Sequence, residues 1–175
     1  MRATTRLTGG LTVLTAGLAL TACGTTTTAG PDAKAPPCRT SSLTWTLTLL
    51  DGTDQDGRRP NARLTAVNKG PGTCVFDGYP GVEVHNGKAE TIDGAGHGHA
   101  ASLPLPGKAA ATVDIRYTPG GTKDAGPNCV RQPEAVVWAP HDAARAVVPV
   151  LDAHLRHTTI DACGESMSLA PPRRT

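Results

Sequence analysis

Aromatic residues are scarce in this 175-residue chain: two Trp, two Tyr and one Phe, 3% of the whole. A core must therefore come from Leu, Val, Ile and Ala, which favours a small fold stapled by covalent links. No apolar run is long enough to cross a bilayer as a helix, which takes about 20 residues. Cys-x-x-Cys is missing, which argues against a zinc–thiolate site. Gly-x-Ser-x-Gly is missing too, so Ser41, Ser42, Ser102, Ser166 and Ser168 have no nucleophile-elbow setting. No helical stripe stands out beyond candidate turns near 143–145 and 152–157.

An excess of one charge is also lacking. The chain has 17 basic and 15 acidic residues, but Arg2 and Arg6 lie in the first 22 positions. Residues 23–175 then carry 15 of each sign and are formally neutral. That excludes a nucleic-acid footprint and a polybasic membrane patch. Arg173-Arg174 is too short to be one.

What is present begins at the N-terminus. Arg2 and Arg6 form a basic head before Leu7 to Leu20, an apolar segment broken by Gly9, Gly10 and Gly17. This pattern describes a secretory signal peptide. Its two arginines are not adjacent, so it is not a twin-arginine signal. Leu20-Thr21-Ala22-Cys23 resembles the bacterial lipobox. The resemblance implies that Cys23 is alkylated with diacylglycerol, becomes the new N-terminus and is further acylated, palmitate being a typical chain. Two or three acyl chains give stable anchoring where one does not. The competing reading is an ordinary signal peptide with Cys23 in a disulfide.

The resulting organisation is a lipoprotein signal peptide at 1–22 and a lipid-anchored flexible linker at 23–37. A folded domain at 38–171 and a C-terminal tail at 172–175 follow. The linker has no large apolar residue and reaches at most about 50 Å at roughly 3.5 Å per residue. Localisation follows: the cell membrane, lipid-anchored, on the extracytoplasmic face.

Removing Cys23 leaves Cys38, Cys74, Cys129 and Cys163, an even number in an exported chain, which implies disulfides. Three pairings are open. Cys38–Cys74 with Cys129–Cys163 is favoured because each closes a loop of similar length, stabilising by roughly 3–4 kcal/mol in the chain-entropy model.

Alternation then locates strands. In SSLTWTLTLL, Leu43, Trp45, Leu47 and Leu49 share one face, with Thr44, Thr46 and Thr48 opposite. In ATVDIRYT, Val113, Ile115 and Tyr117 face in, while Thr112, Asp114, Arg116 and Thr118 face out. Shorter strands are expected at 63–67, 74–76, 82–84, 135–139, 146–151 and 166–170. Asn86-Gly87 suits a hairpin turn, and Pro149 marks an edge or bulged strand. Seven or eight short strands between Gly/Pro turns predict an all-β fold, an antiparallel β-sandwich of immunoglobulin-like type.

Chemistry is thin. Asp51, Asp54, Asp56 and Glu83 could supply paired carboxylates, but acids in turns are ordinarily solvated. The run Asp51-Gly-Thr-Asp-Gln-Asp looks faintly like a calcium loop, but the Gly and terminal Glu of that pattern do not fall in place. His97 and His99, in a Gly-rich loop, are weak candidates for zinc or copper. His154 and His157 follow Asp152, and His141 stands alone. For stacking on a glycan, Trp45 reads as core, Trp138 as ambiguous and Tyr79 as the residue a turn would present.

Cys38 opening a strand, Asn68 ending one, and the run Cys74-Val-Phe-Asp-Gly-Tyr-Pro-Gly-Val-Glu-Val together resemble a known family. Leu105-Pro106-Gly107-Lys108-Ala109-Ala110 before the long strand, then Cys129 and Cys163, extend the likeness from Cys38 to about Pro171. The family is the domain of unknown function 4232, of secreted actinobacterial lipoproteins. The resemblance implies an exported β-sandwich with two disulfides; it implies no activity, cofactor or catalytic residue. The expectation is a monomeric, non-catalytic binding module for an envelope protein or glycan, without nucleic acid. A zinc- or copper-handling lipoprotein is the alternative.

Overall fold

The computed structural model describes residues 34–51, 59–87 and 90–175. The expectations placed on Arg2, Arg6, Cys23, Asp54, Asp56 and the signal peptide lie outside the described residues. A 3-10 turn at Thr40–Ser42 leads into β1 (Leu43–Leu49), followed by β2 (Ala62–Asn68), β3 (Cys74–Asp77), β4 (Gly81–Asn86), β5 (Glu90–Gly96) and β6 (Ser102–Leu105). Then come β7 (Ala110–Pro119), β8 (Cys129–Gln132), β9 (Glu134–Trp138), β10 (Ala146–Leu151), β11 (Ile160–Leu169) and β12 (Arg173–Arg174). Among the described residues there is no α-helix.

The alternation seen in the sequence is the alternation of burial. Leu43, Trp45 and Leu47 are buried on β1, and Val113 and Ile115 on β7, while Thr44 and Arg116 are exposed. Thr112 departs from it, being buried on the outer side of β7. The cause is β12, which pairs Arg173 with Thr112 and covers it; the Thr112 hydroxyl donates to the Arg173 carbonyl at 3.4 Å.

The expected sandwich is not what these strands build. Their order is β7-β2-β1-β10-β9-β4-β5-β11, and β11 pairs back onto β7, so eight strands close into a barrel. A sandwich would keep two separate sheets face to face; here the two ends of one sheet join. All-β is right and immunoglobulin-like sandwich is wrong, for a physical reason. Period-2 burial marks a strand's inward face, and inward faces look alike in a sandwich and a barrel. β8 and β12 extend β11 and β7 outside the ring, and β3 and β6 form a separate pair. Two ring pairings, β1–β10 and β5–β11, are parallel.

Inside the barrel lie Leu47, Leu64, Val84, Ile92, Ile115, Val137, Val150 and Met167, each at most 1% exposed. Two disulfides, Cys38–Cys74 and Cys129–Cys163, join the four cysteines as the loop lengths suggested. Cys38 is tied further, because its N–H donates to the Val75 carbonyl and the Val75 N–H donates to Pro36. Buried Asn68 is fully engaged: its amide donates to Gly72 and Leu105 carbonyls and its oxygen accepts the Gly70 N–H. That lashes the β2–β3 turn to β6.

β1 and β10 pair only at Leu47↔Val150 and Thr48↔Leu151. Upstream, Ala146–Pro149 pair with β9 instead, so Pro149 occupies a ring strand at the part that has no ladder to β1. The gap is handled by side chains. The Thr40 N–H donates to Asp142 Oδ2 at 2.7 Å, and the Ala139 N–H donates to Thr40 Oγ1 at 2.9 Å. The Trp45 indole donates to the Thr40 carbonyl at 3.1 Å. This latch ties the chain entering β1 to the β9–β10 connection. The hydrogen bond from the Thr40 N–H holds the Asp142 carboxyl below the usual range.

Candidate functional site

Ring pairing is interrupted at β7–β11. Ile115 faces Leu169 and Arg116 faces Ser168, then the register shifts until Thr118 meets Cys163 and Pro119 meets Ala162. Gly164 begins the extra length at φ +103°, a conformation L side chains rarely adopt, and its N–H donates to the Asn128 carbonyl. β7 finds other partners across this irregularity. The Asn61 amide donates to the Tyr117 carbonyl at 2.7 Å, and the Tyr117 N–H donates to Asn61 Oδ1 at 3.0 Å. Burial, with the nearby Asp161 charge, pushes the Tyr117 hydroxyl up to about 12, so it stays protonated.

Beside this interruption lies an open groove with a volume of about 360 Å³. Its apolar lining is Pro60, Leu169, Ala170 and Pro171; its polar groups come from Asp114, Arg116, Ser168 and His97. Strand geometry explains the assembly, since residues two apart on one strand share a face. Asp114 and Arg116 alternate outward with buried Ile115 between them. Ser168 joins them because it is the register partner of Arg116.

The charges in the groove differ in their freedom. Asp114 accepts Arg63 Nε at 2.7 Å on one oxygen and lies 2.8 Å from Arg173 Nη1 with the other. Burial pushes its carboxyl up, but the hydrogen bonds from the two arginines outweigh this and hold it below the usual range. Arg116 is exposed and has no ion-pair or hydrogen-bond partner among the described residues. One carboxylate is saturated, and one guanidinium keeps its donors.

His97 reaches the rim because Tyr79 holds its backbone: the Tyr79 hydroxyl donates to the His97 carbonyl at 2.6 Å. The Tyr79 ring lies over Gly96, where any Cβ would collide with it. Tyr79 is therefore half-buried packing rather than a presented platform. His99, past Gly98 at φ +79°, is exposed and does not line the groove.

The structure does not gather the histidines. His154 belongs to the turn in which Asp152 accepts the His154 and Arg156 N–H groups, while His141 is near Gly78. Among the described residues, three potential metal-ligand atoms come together only at Cys129, Asp161 and Cys163. The two sulfurs there form one disulfide and are not thiolates. Asp51 is exposed, and Glu83 is paired with Arg145 at 2.8 Å.

The tryptophans are also engaged. Trp45 is 9% exposed and lies 6.3 Å from Phe76, as expected of core. Trp138 packs on Gly81 and carries the Arg145 guanidinium 3.9 Å from its ring centroid.

Sequence reasoning put Asp114 and Arg116 on an outward face but passed over the groove. The missing information was the Arg116–Ser168 register, which joins strands about fifty residues apart. The local signal, an acid and a base two apart on an outward face, says nothing about which of them is already satisfied.

No curated protein and no solved structure matches the chain. The profile of the family described as Domain of unknown function (DUF4232) matches residues 38–171, the stretch that holds both disulfides, all eight barrel strands and the groove. The chain belongs to that family.

Proposed function

We propose that this family member is a secreted lipoprotein of the actinobacterial kind, tethered through Cys23, whose barrel is a non-catalytic binding module on the extracytoplasmic face of the membrane. One observation carries the reading. Both disulfides consume the four cysteines of the barrel, leaving Cys23 as the one of five cysteines that the barrel does not use. Disulfides persist in oxidising compartments outside the cytoplasm, which agrees with the lipobox at Leu20–Cys23.

Asp114 is suited to recognition rather than to proton transfer. A general acid or base needs a pKa near the working pH, whereas Asp114 is held ionised by two arginines. The groove instead offers fixed charge beside an apolar wall, the makeup of a small binding site. The proposed partner is an envelope component met at the membrane surface.

Metabolic labelling with a palmitate analogue tests the tether. The native chain is expected to carry the label and partition into detergent, and Cys23→Ala to lose the label and become soluble. An unlabelled native chain would overturn the lipoprotein reading. In-cell crosslinking of the anchored protein, followed by mass spectrometry, then reports what the module meets.

A further inference from the structure

We propose that the groove at the β7–β11 seam binds a carboxylate on a short apolar stem, with Arg116 as the cation that receives it. The proposal deepens the binding-module reading and rests on it. Arg116 is exposed, has no ion-pair or hydrogen-bond partner among the described residues, and opens into a cavity of about 360 Å³. Its planar fork matches the two oxygens of a carboxylate. Ser168, its register partner, adds a hydroxyl donor at the same level. Pro60, Ala170 and Pro171 then offer an apolar wall to a few carbons of stem.

The negative charge of the ligand follows from Arg116, since Asp114 is already paired. Asp114 lines the same groove two residues from Arg116, roughly 6–7 Å along the strand. Arg63 and Arg173 each pair with one of its oxygens, so those three groups together carry one net positive charge and do not repel an anion. What favours a carboxylate on a stem over inorganic phosphate is the apolar wall beside Arg116, which a stem can cover and a phosphate cannot. The volume, at the small end of ligand sites, admits a short acid or the carboxyl end of a peptide.

The test is titration of the full chain in detergent, followed by the amide NMR signals of Arg116, Ser168 and Leu169. The probes are butyrate, its neutral analogue butyramide, N-acetyl-alanyl-alanine and inorganic phosphate. Butyrate or the dipeptide should shift those signals, with butyramide and phosphate weaker by at least about tenfold. The tighter of the two carboxylates identifies the source, free acid or chain end. R116Q should lose at least about tenfold in affinity, S168A a smaller factor, and R131Q, on β8, nothing.

R116Q is expected to melt with the native protein. If it does not fold, R116K, which keeps the charge but loses the fork, should bind several-fold more weakly than the native chain. Equal binding of butyrate and butyramide, undiminished binding to R116Q, or tighter binding of phosphate than of either carboxylate would each overturn the proposal. The Cys23 tether can fail its own test without affecting this one, because the titration needs no membrane.

Discussion

The barrel's pairing is shortest at β1–β10 and is interrupted by a register shift at β7–β11, and it treats these two seams in opposite ways. At β1–β10 the backbone ladder is short, but Thr40, Ala139, Trp45 and Asp142 fill the gap with hydrogen bonds around a Thr40 that is 3% exposed. At β7–β11 the ladder is interrupted, Asn61 satisfies the Tyr117 backbone, and the space outside is left as a groove whose Arg116 guanidinium has no partner among the described residues. Polar groups that are buried must be partnered, so the first seam is a structural solution with nothing to spare. Polar groups at an open seam can keep capacity for another molecule. The difference separates residues that hold the fold from residues available for recognition.

The largest effect should fall on the sealed seam. Replacing Cys38 and Cys74 together by Ala frees the segment that delivers Thr40 and should destabilise the domain by roughly 3–4 kcal/mol in denaturant unfolding. A loss no larger than that of an exposed surface substitution would show that the latch does not depend on this anchor.

Thr40→Val comes next. It keeps the shape and removes the acceptor of the buried Ala139 N–H, at a cost of about 1–3 kcal/mol. At the open seam, Asn61→Ala strips both partners from Tyr117 and should cost about 1–2 kcal/mol by the same unfolding measurement. If Asn61→Ala proved costlier than Thr40→Val, the ranking of the seams would be reversed.

Asp142→Asn should be smaller and pH-dependent. The native carboxyl is depressed below 3.8, chiefly by the Thr40 N–H. Its stabilisation is present above about pH 4 and lost as pH falls through the depressed folded value. The variant should therefore be less stable than the native protein at pH 7 and converge with it at low pH. A gap that stayed constant down to pH 2 would point to lost packing rather than lost charge. Smallest of all, Arg116→Gln should leave stability within about 0.5 kcal/mol of the native protein, since it removes no hydrogen bond or ion pair among the described residues.

How much of this could be read beforehand depends on range. β1 and β7 were legible because alternation is a local property. The disulfide partners were favoured from loop length. β5 was not legible: Glu90–Gly96 contains Gly94 and Gly96, which read as turn, but Gly96 lies under Tyr79, where a side chain would collide, and Gly94 packs closely against Leu169. β6 was hidden by Pro104, accommodated in a separate two-stranded pair. Arg173-Arg174 read as a tail because a two-residue strand has no period; it pairs with β7 and contributes Arg173 to Asp114.

Closure into a barrel was beyond reach for the same reason. It rests on β7 meeting β11, and neither strand's own pattern names its partner. The candidate site inherits that limit. Asp114 and Arg116 were placed outward correctly, yet their unequal freedom depends on Arg63, Arg173 and Ser168, brought in by three other strands.

The most direct test of this division is the butyrate titration read at both seams of the native chain at once. The amide signals of Arg116, Ser168 and Leu169 should move while those of Thr40, Asp142 and Val150 stay still. Movement at Thr40 and Asp142 with silence at Arg116 and Ser168 would contradict the division into a sealed seam and a receptive one.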